Sequence, residues 1–186
     1  MEKFVNPTKV VTGVCTFSYL NCWEPKALNE GQKPKYSVSL IIPKTDTKTV
    51  QSIKAAIKAA YDEGASKLKG NSKSVPAFEV IKNPLRDGDN ERPDDANYRG
   101  CYFINANSES APGIVDANRQ PIMTRSEMYS GVKGRASINL YAYNVNGNKG
   151  IACGLNNLQK ISDGTPLGGK SSAEDDFNTE DDDFLN

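Results

Sequence analysis

Two tyrosines and two basic residues share a spacing that suits contact with nucleic acid. Residues 133–145 alternate as a half-buried strand does, and their apolar set, which must face a core, is Ala136, Ile138, Leu140 and Ala142. Lys133, Arg135, Tyr141 and Tyr143 then fall on the opposite, outer face. Bases stack on exposed aromatic rings with ~1–3 kcal/mol each, and cations follow phosphates. The alternative is that a loop or a helix covers both rings.

Other aromatic residues also lie near basic ones. Phe17 and Tyr19 share one parity of a predicted strand, and Trp23, the only tryptophan, follows in a loop with several lysines. Trp23 is a candidate for stacking on a base, and it is an equal candidate for plugging one end of the fold. We expect Phe103 to point inside. The remaining candidates for contact with bases or phosphates are Lys33, Lys35, Arg99 and Tyr102.

The chain lacks residues that most catalytic mechanisms use. There is no histidine, which removes the commonest general base and the commonest transition-metal ligand. Four cysteines are widely spaced without a C-x-x-C pair, so free thiols are expected, with a four-cysteine zinc site as the alternative. The carboxylates of residues 87–95 do not fit an EF-hand, and we expect a solvated loop there. No cofactor and no metal is predicted.

The end of the chain is strongly acidic. It has seven carboxylates and no basic residue after Lys170. Without them the rest of the chain holds 23 basic and 16 acidic residues, a net charge of +7. We expect a disordered tail that competes with a polyanion for the basic body, or else a tail that only aids solubility. The residues predicted to bind a partner are Glu174, Asp175, Asp176, Phe177, Glu180, Asp181, Asp182, Asp183 and Phe184.

The elements that must position these residues are mainly strands. The pattern predicts strands over residues 10–20, 36–42 and 99–106, a hairpin over residues 113–122, and a strand over residues 133–145 that returns after an Asn-Gly turn. Helical spacing predicts one helix over residues 47–64, whereas residues 21–35, 65–74 and 86–95 are predicted to be loops. Residues 75–85 are compatible with a strand or a helix. These elements suggest a small antiparallel barrel with a helix packed at one end.

The chain length suits one domain, which we place at residues 1–165, followed by a flexible linker and the acidic tail at residues 166–186. No apolar run approaches the roughly 18 residues that a membrane span needs. The first residues lack the apolar core of a signal peptide, so we expect the protein in the cytoplasm.

Several motifs, taken in order along nearly the whole chain, resemble a known family. They are KYSVSLIIPK (35–44), GCYFINANS (100–108), YSGVKGRASINLYAYN (129–144), GNKGIACGLNNLQKISDGTPLGG (147–169) and the acidic tail with its late phenylalanine. The chain resembles the single-stranded DNA-binding proteins of tailed bacteriophages and prophages. The resemblance implies an OB-fold, binding of single-stranded DNA with little sequence preference, and an acidic tail that contacts replication proteins in the infected or lysogenic bacterial host.

The resemblance also implies functional positions. Tyr36 and Tyr129 join Lys133, Arg135, Tyr141 and Tyr143 as residues of the binding groove, and Phe184 is the tail aromatic. Phe184 is followed by two more residues, unlike a strictly terminal aromatic. The main hypothesis is therefore a non-enzymatic single-strand binder for phage DNA replication or recombination.

Two alternative functions remain open from the sequence, and a homodimer is a further possible assembly. The chain could instead be a protein-interaction module whose tail is the functional part, or a metal-dependent nuclease that uses the carboxylates of residues 87–95. The tail and the edge strands could each support a homodimer.

Overall fold

The computed structural model describes residues 6–27 and 29–167. The strands are β1 (Lys9–Val11), β2 (Cys15–Lys26), β3 (Lys35–Pro43), β4 (Leu85–Asp87), β5 (Cys101–Ser108), β6 (Gly113–Val115), β7 (Lys133–Val145) and β8 (Asn148–Ser162). The helices are α1 (Thr47–Glu63), α2 (Ala65–Lys69) and α3 (Gly88–Glu91), and short 3₁₀ helices lie at Phe78–Val80, Ala96–Tyr98 and Arg125–Glu127.

The long strands close into a ring. Strand β7 pairs with both β2 and β8, β2 pairs with β3, and β3 pairs with β5. The ring is completed where β5 meets β8, and this contact is parallel while the others are antiparallel. A small Greek-key ring of this kind is the architecture of an OB-fold. The prediction of a mainly β, OB-fold-like structure is therefore confirmed, and the predicted acidic tail lies outside the described residues.

The inside of the ring holds the core. Phe17, Leu40, Ile104 and Ile138 come from four different strands, and each is fully buried. The predicted inner set of β7 is confirmed, because Ala136, Ile138, Leu140 and Ala142 are between 0% and 6% exposed. Burying a large apolar side chain contributes roughly 1.5–3 kcal/mol, so the inner faces supply most of the stability of this fold.

Helix α1 closes one end of the ring, as predicted. The carboxylate of Asp46 caps it by accepting a hydrogen bond from the Thr49 backbone N–H at 3.2 Å. Its apolar stripe, which includes Ile53 and Ile57, is buried against the ring core. The helix therefore forms because local capping and tertiary burial act together.

The hairpin of β7 and β8 also follows the prediction. Val145 pairs with Asn148, so Asn146 and Gly147 form the turn, with φ of 52° and 84°. Two successive residues in the left-handed region define a type I′ turn, which Asn-Gly favours. The turn fixes the register that puts the apolar set of β7 inside the ring.

Four predicted segments differ from the structure. The strand predicted over residues 10–20 is broken between β1 and β2, and β2 continues to Lys26 through residues predicted to be a loop. The predicted loops over residues 65–74 and 86–95 contain the short helices α2 and α3, so the inserted helix is not alone. These elements are too short for a periodic signal, and tertiary contacts decide their conformation. No helix in the described ranges is long and apolar enough to span a membrane.

Candidate nucleic-acid interface

A row of side chains crosses the outer face of the ring. The strand register places Lys133 beside Thr16, Thr16 beside Ile41, Ile41 beside Phe103 and Phe103 beside Arg86. Each of these residues has the parity opposite to the core positions of its strand. The row therefore lies outside the ring, with a basic residue at each end and Thr16, Ile41 and Phe103 between them.

The segment between β4 and β5 covers the middle of this row. Tyr98 is 1% exposed, and its ring meets the ring of Phe103 edge to face with centroids 5.1 Å apart. Tyr98, Phe103 and Ile41 form a small apolar cluster that is separate from the core. Phe103 is thus buried, as predicted, but on the outer face and under a neighbouring segment rather than inside the ring.

Arg92 is the centre of an aromatic cluster on this face. Its guanidinium carbon lies 4.8 Å from the ring centroid of Tyr98, 5.3 Å from that of Tyr19 and 5.7 Å from that of Phe103. Its Nη1 donates a hydrogen bond to the hydroxyl of Tyr19 at 3.1 Å, and this bond raises the pKa of Arg92. We name the surface formed by Tyr19, Arg86, Arg92, Tyr98, Phe103 and Lys133 the aromatic–arginine face.

Tyr19 is the exposed aromatic residue of the aromatic–arginine face. It is 59% exposed and has a φ of 47°, in the left-handed region that aromatic residues rarely adopt. The pairing of β2 with β3 shifts register between Ser18 and Asn21, so Tyr19 lies in a bulge. A bulge redirects a side chain and is often found at a functional site.

The same bulge corrects the prediction for Phe17. Phe17 and Tyr19 have the same parity in sequence, and both were predicted to contact DNA. Phe17 lies before the bulge, pairs with Leu40 and is 0% exposed, so its ring belongs to the core and cannot stack on a base. Only Tyr19 is turned outward.

Polar side chains continue the aromatic–arginine face along the strands. Ser18, Ser39 and Asn105 lie side by side in the register of β2, β3 and β5. The hydroxyl of Ser39 is buried and has no hydrogen-bond partner among the described residues. An unsatisfied buried hydroxyl is uncommon in proteins, and the stability of the fold does not explain why one lies on this face.

A pocket adjoins the aromatic–arginine face. It has a volume of about 630 Å³ and is lined in part by Arg86, Arg92 and Phe103. The rest of its wall includes the carboxylates of Glu91, Asp94 and Asp95. Because these carboxylates repel phosphates, the open surface of the face is the more favourable place for phosphate contact.

Ion pairs hold the covering segment in place. The ammonium of Lys44, at the end of β3, lies 2.8 Å from Asp87 and 2.9 Å from Asp89. Lys44 holds the pKa of both carboxyl groups below their usual range. Asp89 also accepts a hydrogen bond from the Gly100 backbone N–H at 2.9 Å. These contacts attach α3 to β3 and β5, and thereby position Arg92.

The same ion pairs bear on the nuclease alternative. Arg86 donates two hydrogen bonds from Nε and one from Nη2 to Glu91, so Glu91, like Asp87 and Asp89, faces a cation. In the part of the chain that the structure describes, no three His, Cys, Asp or Glu side chains are grouped for a metal ion. Of the five carboxylates in the predicted solvated loop, Asp87, Asp89 and Glu91 are therefore paired with cations.

The four cysteines are free thiols in the structure. Burial raises the pKa of Cys15 and of Cys153 to about 12 and that of Cys22 to about 11. Thiols with such values stay protonated and behave as small apolar core residues. Cys101 lies outside the core cluster that holds the other three, on the edge of the aromatic–arginine face.

Several predicted residues lie at the connection of β2 to β3, away from Arg92. The indole of Trp23 is half-buried against the core and donates a hydrogen bond to the Arg125 carbonyl at 3.0 Å. Lys33 forms an ion pair with Glu109 at 3.0 Å. Lys35 and Tyr36 begin β3, where Tyr36 pairs with Ser108. Trp23 thus packs against the core, which agrees with the interpretation that it plugs one end of the fold.

Three other predicted residues occupy separate positions. The ring of Tyr102 lies beneath the ammonium groups of Lys44 and Lys54, with centroid distances of 5.1 and 5.5 Å. The hydroxyl of Tyr129 donates to Asp163 at 2.9 Å, which ties the end of β8 to the segment before β7. Arg99 is exposed just before β5.

The outer residues of β7 divide into two groups. Lys133 lies on the aromatic–arginine face, where its ammonium donates a hydrogen bond to the hydroxyl of Thr16. Arg135 is exposed and donates from Nε to the Thr12 carbonyl at 2.9 Å. Tyr141 is 41% exposed and pairs with Ala152, and Tyr143 pairs with Gly150. The two tyrosines point outward as predicted, but they lie on β7, where it pairs with β8, and not beside Tyr19.

The described chain ends on the aromatic–arginine face. Leu167 packs against the cluster of Ile41, Tyr98 and Phe103, and its backbone N–H donates to the Ser130 carbonyl at 2.9 Å. A Cβ placed on Gly164 would lie 3.5 Å from Cε of Lys133. The segment after β8 therefore runs along the row from Lys133 toward Phe103. The predicted linker and tail span residues 166–186, and from residue 168 onward they lie outside the described residues.

The sequence did not single out Arg86 or Arg92 as binding residues. Both lie in a stretch whose carboxylates suggested only a metal site. Their place on the interface depends on the strand pairing that brings residues 86–92 over Phe103. The mixture of arginine and carboxylates around Pro93 was the only signal that could have suggested a structured segment.

Comparison with known proteins gives consistent matches. The family described as "Enterobacter phage Enc34, ssDNA-binding protein" matches residues 8–185. Protein p50 of Acyrthosiphon pisum secondary endosymbiont phage 1 is 31% identical over 162 residues, which cover 82% of this chain and 84% of the relative.

Two solved structures are similar in fold. The single-stranded DNA-binding protein from bacteriophage Enc34 in complex with ssDNA has a TM-score of 0.70 at 24% identity, covering 87% of this chain and 90% of that one. The protein gp2.5 of bacteriophage T7, a single-stranded DNA-binding protein, has a TM-score of 0.62 at 14% identity, covering 88% of this chain and 97% of that one.

Proposed function

The chain belongs to the family of the Enterobacter phage Enc34 ssDNA-binding protein, and we propose that it binds single-stranded DNA through the aromatic–arginine face. The observation that carries this proposal is Arg92, held between the rings of Tyr19 and Tyr98 on the outer face of β2, β3 and β5. OB-folds bind oligonucleotides on the corresponding strands. The Enc34 protein, which is similar in fold, was solved in complex with a ligand of this class, ssDNA.

In the proposed mechanism, different side chains stack on bases and contact phosphates. A base stacks on the exposed ring of Tyr19, while Arg92, Arg86 and Lys133 contact phosphates. Stacking tolerates every base because each has a π face, so we expect little sequence preference. The exposed amide group of Asn105 can meet base edges. No bond is made or broken, and no cofactor or metal takes part in this mechanism.

We propose that the acidic tail regulates this face. Leu167 lies on the aromatic–arginine face, and the first of the seven tail carboxylates, Glu174, comes seven residues later in the sequence. The tail would compete with DNA for Arg92 and Lys133 and become free when DNA displaces it. The freed tail, with Phe177 and Phe184 among its carboxylates, would then recruit a replication or recombination protein.

The proposed setting is the cytoplasm of an infected or lysogenic bacterial host. A homodimer is a second proposed partner, formed through the tail or through an edge strand such as β1, where Val11 is 55% exposed. Sedimentation velocity of the full-length protein over a range of concentrations tests the dimer directly, and a single monomer boundary at every concentration would exclude it.

The test of the proposed function is fluorescence anisotropy of a labelled oligo-dT of about thirty nucleotides, which is long enough for at least one OB-fold site. Full-length protein and a truncation after residue 170 are titrated at two salt concentrations. We expect salt-sensitive binding by both proteins and tighter binding by the truncation. Equal affinities would reject tail competition and leave DNA binding intact. Absence of binding by both would favour the protein-interaction module.

A further inference from the structure

Four lysines from three chain segments lie around the hairpin of β7 and β8, three of them on the side of α2 and Lys82 on the opposite side, over Gly150. Lys149 begins β8, and its ammonium donates hydrogen bonds to the Ser72 hydroxyl at 2.9 Å and to the Lys69 carbonyl at 3.3 Å. The backbone N–H of Lys82 donates to the Lys149 carbonyl at 3.3 Å. The Lys67 carbonyl accepts a hydrogen bond from Asn144 at 3.0 Å. We name Lys67, Lys69, Lys82 and Lys149 the α2 lysine cluster.

Tyr143 lies beside the α2 lysine cluster. A Cβ placed on Gly150 would be 2.8 Å from the Tyr143 hydroxyl and 2.7 Å from the Cβ of Lys82, so both side chains meet over Gly150. Tyr143 projects from the outer face of β7 and is half-buried. Tyr143 is thus a ring beside one cation of the cluster, Lys82, and it lies away from Tyr19 and Arg92.

The charges of the α2 lysine cluster are not neutralised within the described ranges. Lys33, Lys44, Lys58 and Lys160 each form an ion pair with a carboxylate. None of the four cluster lysines does so with any described carboxylate. Lysines without counter-charges attract a polyanion. Among the described residues, the hairpin therefore carries positive charges that no carboxylate pairs.

A short segment joins this cluster to the aromatic–arginine face. Lys82 forms a bridge to Gly150, and Arg86, four residues later, pairs with Phe103. Four extended residues span at most about 14 Å. The intervening residues 83–85 are Asn, Pro and Leu, without a carboxylate. A strand that leaves the face past Arg86 therefore meets Lys82 next.

We propose that the α2 lysine cluster is a second contact surface for the same single strand, binding its phosphates where it leaves the aromatic–arginine face. Tyr143 offers a ring for one base beside these phosphates. This inference rests on the proposed function, since it extends the DNA path by a few nucleotides. Long strands use both surfaces, whereas short strands occupy the aromatic–arginine face alone.

One member of the cluster also has a structural role. Lys149 caps carbonyl and hydroxyl groups after α2, and its loss would disturb the fold. The ammonium groups of Lys67 and Lys82 make no hydrogen bond to a described residue. Substitution of these two removes charge without removing a structural contact, so they are the residues to change.

The test compares a double variant, Lys67→Gln with Lys82→Gln, with a control double variant, Lys9→Gln with Lys48→Gln. The control removes the same charge from exposed lysines of β1 and the first turn of α1. Both are made in the full-length protein. Affinity is measured for oligo-dT of about eight and about thirty nucleotides, the shorter one being close to a single OB-fold site. Thermal melting confirms that both variants are folded.

We expect the cluster variant to bind the long oligonucleotide about tenfold more weakly near 0.1 M salt, because each lost phosphate contact removes ~0.7 from the salt slope. Its affinity for the short oligonucleotide stays that of the unmodified protein. An equal loss for both lengths, or a long-strand loss no larger than that of the control, would overturn the inference. If the unmodified protein binds neither oligonucleotide, the proposed function itself fails.

Discussion

The aromatic–arginine face and the α2 lysine cluster are both basic, but they hold their cations differently. Arg92 is fixed by three rings and a hydrogen bond to Tyr19. Lys67 and Lys82 extend into solvent with free ammonium groups. A planar guanidinium that is fixed among rings can take part in stacking, whereas a mobile ammonium acts as a point charge for phosphates. The comparison assigns a fixed cation that can join the stack to the face, and cations that act only as point charges to the cluster.

The largest effect should come from an aromatic residue that belongs to neither surface. Phe17 was predicted to contact DNA, yet it is fully buried in the ring. We expect Phe17→Ala to lower the free energy of unfolding by about 3–5 kcal/mol, since it removes a ring and leaves a cavity. Urea denaturation measures this change. An unchanged unfolding free energy together with weaker DNA binding would return Phe17 to the binding site.

The next effect separates two exposed tyrosines. Tyr19→Ala should weaken binding of a short oligo-dT by about 1–3 kcal/mol, or roughly 5- to 150-fold, through loss of stacking. Tyr141→Ala is the matched control, because Tyr141 is also exposed but lies on β7 away from Arg92. Anisotropy titrations compare the two. A larger loss for Tyr141→Ala would move the principal stacking surface to β7.

A charge-conserving exchange tests how each surface uses its cation. Arg92→Lys keeps the charge but loses the planar stack, so we expect affinity to fall about two- to thirtyfold with little change in the salt slope. The reciprocal exchange Lys82→Arg in the α2 lysine cluster should leave affinity for a long oligonucleotide nearly unchanged. If Arg92→Lys binds as the unmodified protein does, the guanidinium acts as a point charge only.

The smallest effect concerns the ion pairs that support the face. Lys44 lowers the pKa of Asp87 and Asp89. A carboxyl with a depressed pKa adds stability above its unfolded value, about 3.9, and loses it as the pH falls through the folded value. Acid should therefore destabilise the unmodified protein more steeply below about pH 4 than Lys44→Met. Urea midpoints across this range provide the measurement, and parallel curves for the two proteins would contradict it.

Much of the ring could be predicted from local patterns. The alternation of residues 133–145, the Asn-Gly turn and the helical spacing of residues 47–64 each identify an element whose local preference agrees with its tertiary burial. The outward position of Tyr141 and Tyr143 follows from the same alternation. Such elements can be predicted from the sequence because their local preferences agree with their tertiary contacts.

The centre of the candidate interface could not be predicted in the same way. Alternation places Phe17 and Tyr19 on one face, and only the bulge, with its positive φ at Tyr19, separates them. Arg92 gains its role from β4, which pairs with β5 and carries residues 88–99 over Phe103. Both features depend on contacts between distant segments, for which a single sequence has no periodic signal.

Photochemical cross-linking tests the central claim most directly. A short oligo-dT that carries a photoreactive thymine analogue is bound to the full-length protein, irradiated, and the attached peptides are mapped by mass spectrometry. Base stacking on the aromatic–arginine face predicts attachment at Tyr19 and within residues 92–103. Attachment confined to Tyr141 and its neighbours on β7 and β8, with none at Tyr19, would contradict the account.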